Sequence, residues 1–310
     1  MLSFELFSVV RDPPKRSVPS TLKELENERS PDHQPEQPPN WWLSPDIWVT
    51  PVGVPSNPPG VLHPIVGIAY DVLVNVHNNH NSPVNGDWNL WVCWAIPTAG
   101  RIPIAAVTGQ ILNNGPIRVP ANSTVPIKTA QTWTPSVDGH ECLIAVTFAQ
   151  FKGFPFSRSL NGDAASTADF SIAQHNLGVL AVGSEMMSRF HYAFQVCNGA
   201  DEERLFVVAA RQAPLSEIAV LLSGVPGGRT VIDRRGKVEH LGIVASDYPN
   251  SAELETATAV LSPVKIAPRS CRAFTLGGNL EEGNALIHVT QSLDERVVGG
   301  LSVLVMAEER

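Results

Sequence analysis

Histidines and a carboxylate in the first half of the chain are the residues whose types and spacing could perform chemistry. His77 and His80 lie in one predicted loop, and His140 with Glu141 precedes a predicted strand that would neighbour the strands flanking that loop. Together they could bind a metal ion and activate water for hydrolysis. The alternative is an ordinary turn, because Asn and His accept left-handed backbone and bond their own main chain. Turn residues are the favoured interpretation, so no metal site is predicted.

Other chemical signatures are weak or absent. Asp46, Asp71, Asp87 and Asp138 could build a calcium site, but the dense alternation of carboxylates typical of a calcium loop is missing. The glycine-rich stretch 223–229 lacks the Lys-Ser/Thr ending of a phosphate loop, and neither HExxH nor GxSxG occurs. The sequence therefore predicts no catalytic residue and no cofactor. A divergent metal-dependent hydrolase is the least favoured hypothesis.

The cysteines, Cys93, Cys142, Cys197 and Cys271, fall two in each half of the chain. They could form one disulfide per half, and none has the spacing of a metal ligand pair. Residues 1–10 lack the basic front and continuous apolar run of a signal peptide, so we expect cytoplasmic synthesis. Because the cytosol is reducing, four buried thiols are favoured over disulfides.

Composition restricts the class of partner. The chain has 310 residues, is 43% hydrophobic and 17% charged, and carries a formal charge of -8. Such a balance is typical of a folded protein and disfavours nucleic acid or an anionic membrane as partner, since both bind clustered Lys and Arg. No apolar stretch reaches about 18 residues, so membrane insertion is not expected. The predicted location is the cytoplasm, or a released or surface particle.

Residues 1–40 differ from the rest and form a predicted N-terminal arm. Residues 11–40 are rich in Pro and Glu and poor in large apolar side chains, which is typical of a flexible linker. Before this linker, Leu2, Phe4 and Leu6 alternate with polar residues, as in a strand. A strand at the end of a flexible linker must pair with the edge of a sheet. That sheet could belong to its own domain, a neighbouring copy or another protein.

From residue 41 onward, strand-length apolar runs alternate with turn residues, and 26 prolines and 23 glycines disfavour long helices. We predict an all-β fold of two tandem immunoglobulin-like antiparallel β-sandwiches, at 41–180 and 181–310, with the junction near 177–185. The predicted strands are 46–49, 65–76, 88–96, 102–111, 117–119, 124–129, 141–148 and 169–172, then 188–197, 204–210, 219–222, 238–244, 256–261, 273–276, 285–291 and 297–306.

The two halves resemble imperfect copies of each other. Three short matches occur in the same order, which favours a tandem duplication of one fold. The matched segments are 76–78 with 196–198, 117–127 with 264–274, and 139–147 with 283–290.

Residues 68–96 form a long predicted strand ending in VNVHNN, a turn with Pro and Gly, and then WNLWVCWAIP. This pattern resembles the bacterial immunoglobulin-like modules of the CARDB kind, and the resemblance extends over about residues 45–306. It implies β-sandwich modules that bind or act as spacers, without a shared catalytic site. The chain departs from antibody domains, because Cys93 lies among the tryptophans of its strand rather than before them.

Aromatic residues are the predicted contact sites. All 7 tryptophans lie in the first half, and strand 88–96 is apolar on both faces, so one face must fill the core while the other needs a cover. The second domain, residues 41 and 42, or a partner subunit could provide it. A phenylalanine-rich loop at 148–156 is another candidate contact. The interface candidates are Leu2, Phe4, Leu6, Trp41, Trp42, Trp91, Phe151, Phe154 and Phe156.

The sequence therefore predicts a non-enzymatic structural or adaptor protein that acts through protein–protein contacts. Its partners would be other proteins or copies of itself in a larger assembly, such as a virion, a phage-tail-like particle, a surface array or a filament. The arm would dock by strand addition. The alternative is a carbohydrate- or ligand-binding module, which requires Trp41, Trp42 or Trp91 to be exposed for stacking on a sugar ring.

Overall fold

The fold is taken from a computed structural model, which describes residues 40, 42–55, 60–61, 64–99, 107–112, 116–136, 141–149, 172–183, 188–223, 225, 228–246 and 249–308. The predicted arm strand at 2–10 and the candidate contacts Trp41, Phe151, Phe154 and Phe156 lie outside the described residues.

The strands of the first half form two sheets around one core. One sheet has the order β1-β2-β6, and the other has the order β4-β3-β7-β8, with β5 also paired to β3. Alternate residues of both sheets, including Val72, Leu90 and Ala145, point inward and are buried together. The strands are β1 Ile47–Pro51, β2 Tyr70–Asn78, β3 Val84–Ala95, β4 Val107–Leu112, β5 Ile117–Val119, β6 Ser123–Lys128, β7 Cys142–Ala149 and β8 Ile172–His175.

The second half also consists of two sheets around one core, and its strands are longer on average. One sheet has the order β10-β14-β12, the other has the order β13-β11-β15-β16-β9, and Phe194, Phe274 and Val303 belong to the core between them. The all-β prediction is confirmed. The strands are β9 Leu177–Val182, β10 Ser188–Asn198, β11 Arg204–Ala213, β12 Val238–Val244, β13 Val260–Ile266, β14 Ser270–Leu280, β15 Asn284–Leu293 and β16 Arg296–Ala307.

Some predicted elements differ from the structure. The predicted strand 219–222 is wrong: these residues form helix α1, Ala219–Leu222, after a 3-10 helix, Leu215–Ile218. A short apolar run does not distinguish a buried strand from a buried helix turn. The sequence also missed β9, which pairs with β16 in parallel and crosses the predicted boundary between residues 180 and 181. Two further short helices are α2 Gly228–Asp233 and α3 Ser251–Glu255.

The end of β2 is closed by a buried asparagine. The side-chain amide of Asn78 donates to the carbonyls of Ser82, Val119 and Pro120 at 2.9, 3.2 and 3.0 Å. Its oxygen accepts the backbone N–H of His80 at 3.1 Å. One side chain thus replaces water for several main-chain groups, which stabilises the turn after β2.

The end of β10 has the same construction. Asn198 donates to the carbonyls of Glu202, Ile266 and Ala267 at 2.7, 3.1 and 3.2 Å. It accepts the N–H of Ala200 at 3.0 Å. Each half therefore holds its strand end in the same way, and two of the three sequence matches coincide with this shared structure.

The cross-strand pair next to each asparagine differs between the halves. Beside Asn198, Cys197 lies opposite Cys271 on β14, and the two form a disulfide. The expectation of four thiols is therefore wrong for this pair, because the strand register sets the two cysteines directly opposite each other. Cys93 and Cys142 are buried thiols, and burial raises the pKa of both.

Candidate functional site at the root of the N-terminal arm

In the second half, the sheet of five strands, β13-β11-β15-β16-β9, is partly covered on its outer face by the first described residues of the chain. Leu286 of β15 and Leu304 of β16 point away from the sandwich core and are fully buried. The 3-10 helix and α1 pack over them, together with Trp42 and Leu43. We call residues 40 and 42–44 the root segment, because the predicted arm begins immediately before them.

Trp42 anchors the root segment. Its side chain is 1% exposed and lies against Gly300 of β16, where an added Cβ would come within 2.5 Å of the indole ring. The ring meets His288 edge-on at 5.7 Å between centroids, and its N–H donates to the hydroxyl of Ser302 at 2.9 Å. A buried aromatic side chain with its polar atom satisfied is a strong fixed contact.

A chain of polar side chains continues from Trp42 to the protein surface. The Ser302 Oγ lies 2.7 Å from Nδ1 of His288, and Nε2 of His288 lies 2.8 Å from Oε2 of Glu217. Asn40 also donates to Oε2 of Glu217. Both ring nitrogens of the buried imidazole are therefore occupied, and the network connects the root segment to β15, β16 and the 3-10 helix.

Burial and charge act together on this network. Burial lowers the pKa of His288 and outweighs the opposing effect of the Glu217 carboxylate. Burial would raise the pKa of Glu217, but hydrogen bonds from His288 and Asn40 outweigh it and lower that pKa. At neutral pH the imidazole is therefore neutral and the carboxylate is ionised.

Backbone bonds fix the root segment at the junction between the two halves. The carbonyl of Trp42 accepts from the N–H of Asn176 at 2.9 Å. The Asn176 side chain, fully buried, donates to the carbonyls of Thr98 and Gly300, both at 2.8 Å. Thr98 follows β3 and forms a parallel bridge to Gln195 of β10. Asn176 thus connects the root segment, the first half and the second half.

A second histidine holds the other end of the root segment. Nδ1 of His175 lies 3.2 Å from the carbonyl oxygen of Ser44, and Leu43 forms an antiparallel bridge to the same histidine. Burial lowers the pKa of His175, although the hydrogen bond to Ser44 acts in the opposite direction.

Among the predicted contact residues, the structure describes only Trp42 and Trp91. Trp91 lies on β3, opposite Val146 of β7, and is 2% exposed. The face of β3 that carries Leu90 and Val92 fills the first core. Because Trp42 and Trp91 are both buried, neither offers a surface for stacking on a sugar ring.

His77, one of the histidines considered as metal ligands, is bonded to other side chains. Nε2 of His77 lies 2.8 Å from Oδ1 of Asp46, and Nδ1 lies 2.7 Å from the hydroxyl of Thr124. Glu141 instead accepts from Trp133 and Ser136, and His140 lies outside the described residues.

The two described carboxylates that were considered for a calcium site, Asp46 and Asp71, bond different partners. Asp46 bonds His77, whereas Asp71 forms an ion pair with Lys128 at 2.7 Å. Asp138 and the side chain of Asp87 fall outside what is described. Within the described ranges, no group of three metal-ligating side chains occurs, and no helix there has the length and apolarity needed to cross a membrane.

The sequence missed most residues of this site. Trp42 was identified, but Asn176, His288 and Ser302 were not, since each lies within an ordinary apolar strand pattern or beside one. His288 offered the clearest signal, because it is a lone titratable residue within the apolar run of β15. A buried histidine in a strand requires a polar partner, which the sequence does not locate.

Comparisons with known proteins identify no family. No protein-family model matches the chain, and no match to a curated protein was found. The tip adhesin CupB6 from Pseudomonas aeruginosa is 10% identical, with 85% of this chain and 98% of that chain covered and a TM-score of 0.20. For the serine-rich repeat adhesion glycoprotein Srr1 from Streptococcus agalactiae the identity is 6%, the coverage 85% and 96%, and the TM-score 0.20.

A glycosyl hydrolase family 2 member from Bacteroides cellulosilyticus is 12% identical, with 85% of this chain but 28% of that chain covered and a TM-score of 0.20. Similarities at this level carry no argument about function. The resemblance to CARDB modules therefore stays a prediction.

Proposed function

We propose that the protein is a non-enzymatic assembly subunit whose N-terminal arm docks onto a neighbouring protein by strand addition. The observation that carries this proposal is the anchored root: Trp42 is buried against Gly300 and hydrogen-bonded to Ser302. The arm therefore leaves the protein from a fixed point. A flexible segment with a fixed origin searches a limited volume, which raises its effective concentration at a neighbouring subunit.

The chemistry of the arm supports the same proposal. Leu2, Phe4 and Leu6 alternate with polar residues, so a strand formed by them would present one apolar side. Strand addition satisfies the backbone hydrogen bonds, and the apolar side chains supply the specificity. The proline- and glutamate-rich residues 11–39 would act as a flexible spacer.

The test compares the full chain with a variant that lacks residues 1–39 and keeps Asn40 and Trp42. Particle mass is measured by light scattering over a range of concentrations. We expect the full chain to form a larger species and the truncated chain to be monomeric with unchanged thermal stability. Equal masses for the two proteins at all concentrations would contradict the proposal.

A matched pair of variants then tests the apolar side of the arm. Phe4→Asp with Leu6→Asp should reduce assembly as strongly as truncation, because burying a carboxylate in an apolar contact is unfavourable. Ser3→Ala with Glu5→Ala, on the opposite side of the same strand, should leave the particle mass unchanged. Equal loss in both variants would show that the alternation has no role.

A further inference from the structure

The disulfide of the second half lies on the outer face of a sheet, and one of its two cysteines is more exposed than the other. Cys197 and Cys271 face each other on β10 and β14, three residues along from the core pair Phe194 and Phe274. Because side chains alternate along a strand, the two cysteines point away from that core. Cys197 is 1% exposed, whereas Cys271 is partly exposed. A reagent in solution therefore reaches the bond from the side of Cys271.

Interactions other than the disulfide hold this strand end together. The side-chain amide of Asn198 donates to carbonyls at and after the end of β13. Gln291 donates to the backbone carbonyl of Cys197 at 3.0 Å. The N–H of Arg269 donates to the carbonyl of Ala200 at 3.0 Å. None of these bonds uses a sulfur atom, so opening the S–S bond leaves each of them in place.

The first half has the same kind of strand end without a covalent bond. Asn78 makes the matching hydrogen bonds, and His77 lies opposite Thr124 where the second half has its cysteines. Nδ1 of His77 lies 2.7 Å from the hydroxyl of Thr124. The asparagine, the backbone pairing and one side-chain contact are therefore sufficient there. We expect β10 and β14 to keep their register in the same way after reduction.

The two thiols of the first half lack the facing arrangement. Cys93 lies opposite Ile144 and Cys142 lies opposite Ala95, so the two cysteines are diagonal neighbours on β3 and β7. Both are 0% exposed, and Cys142 accepts from the side-chain amide of Gln174 at 3.4 Å. A reagent in solution does not reach them while the protein is folded. They serve as an internal control for the pair in the second half.

We infer that Cys197 and Cys271 form a redox-active pair that exchanges with small thiols through attack at Cys271 while the protein stays folded. A small thiolate attacks Sγ of Cys271, a new S–S bond forms there, and Cys197 leaves as a thiolate that takes a proton from water. A second small thiolate then attacks its counterpart in the mixed disulfide and releases Cys271 as a thiolate, which is also protonated. Two protein thiols and one oxidised small disulfide result.

The reverse reaction uses the small disulfide as the oxidant and restores the bond. Because the register keeps Cys197 directly opposite Cys271, its thiolate displaces the small thiol from a mixed disulfide within the same molecule. A mixed disulfide should therefore accumulate on Cys271 only when Cys197 is absent. This inference is independent of the proposed docking of the arm.

The first test uses the full wild-type chain, equilibrated with mixtures that range from reduced to oxidised glutathione. Acid stops the exchange, free thiols are alkylated in denaturant, and each cysteine peptide is quantified by mass spectrometry. We expect Cys197 and Cys271 to change together between thiol and disulfide with unchanged circular dichroism, and Cys93 and Cys142 to carry no glutathione. A bond that stays closed in every mixture, or that opens only where circular dichroism shows unfolding, overturns the inference.

The second test locates the attacked sulfur with a matched pair of variants, Cys197→Ser and Cys271→Ser, exposed to oxidised glutathione. Circular dichroism checks that both variants fold. Cys271 in the first variant should form a stable mixed disulfide at least about tenfold faster than Cys197 in the second, since exchange depends on access to the sulfur. The wild-type chain should accumulate none. Equal rates in the two variants, or a faster reaction at Cys197, would show that Cys271 is not the site of attack.

Discussion

The ends of β2 and β10 are the same structure built twice, but the neighbouring cross-strand pair is different in each half. Asn78 and Asn198 make matching hydrogen bonds with three carbonyls and one N–H. Next to Asn198 the strands are joined by a disulfide, whereas next to Asn78 the equivalent pair is His77 with Thr124.

This difference shows which part of the motif is required and which part can vary. Buried main-chain carbonyls at a strand end need donors wherever the turn occurs, so the asparagine recurs. The adjacent pair lies at a place where any favourable cross-strand contact is sufficient. His77 belongs to such a contact, which explains its bonds to Thr124 and Asp46 without invoking hydrolysis or a metal ion.

Removing the disulfide should have the largest effect. Cys197→Ser with Cys271→Ser should lower the free energy of unfolding by about 3–4 kcal/mol, because the bond closes a long loop in the unfolded chain. Unfolding by urea with and without reductant measures this. Reductant should shift the wild-type protein but leave the double variant unchanged. A wild-type protein whose unfolding does not change with reductant would mean that the disulfide is not formed.

Removing either asparagine should have the next largest effect. Asn78→Ala and Asn198→Ala should each lower the free energy of unfolding by about 2–3 kcal/mol, because buried carbonyls lose their donor. Urea unfolding of the two variants measures these costs. Asn81→Ala, at an exposed residue that accepts a bond from Asn122, should lower the free energy of unfolding by less than about 0.5 kcal/mol. If the two substitutions lower the free energy of unfolding by very different amounts, the two strand ends are not equivalent.

Acid should have the smallest effect, and it should act at the root segment. Burial lowers the pKa of His288, so the unfolded state binds a proton before the folded state does. The stability contributed by neutral His288 is present above its unfolded pKa, near 6.5, and is lost as pH falls below that value. Tryptophan fluorescence during urea unfolding at pH 7.5 and 5.5 measures this loss.

The matched variant for the acid prediction is His288→Gln. It should be less stable at pH 7.5 but should show a smaller decrease between pH 7.5 and 5.5 than wild type. Because His175 also has its pKa lowered by burial, His175→Gln serves as a second variant, and both substitutions together should reduce the pH dependence more than either one alone. A pH dependence that both variants retain in full would place the titrating group elsewhere.

Alternation in the sequence predicted the strands well where one face is buried. Strand β12 and strand β5 begin and end where the pattern predicted, since turn residues flank both. The run 219–222 was misread because its apolar side chains cover the outer face of a sheet, and that sheet is formed by strands distant in the sequence. The sequence match of 139–147 with 283–290 aligns Ala145 with His288. The two residues are not structurally equivalent, because Ala145 faces the core and His288 faces outward.

The sequence by itself determined that the chain is an all-β protein, because alternation and turn chemistry act within a few residues. It also drew attention to Trp42 and to the contrast between the arm and the folded halves. Only the tertiary structure decided that Trp42 anchors the root segment, since its partners Gly300 and Ser302 are brought to it by the pairing of β9 with β16. Contacts across more than two hundred residues depend on sheet order and register, which local patterns do not encode.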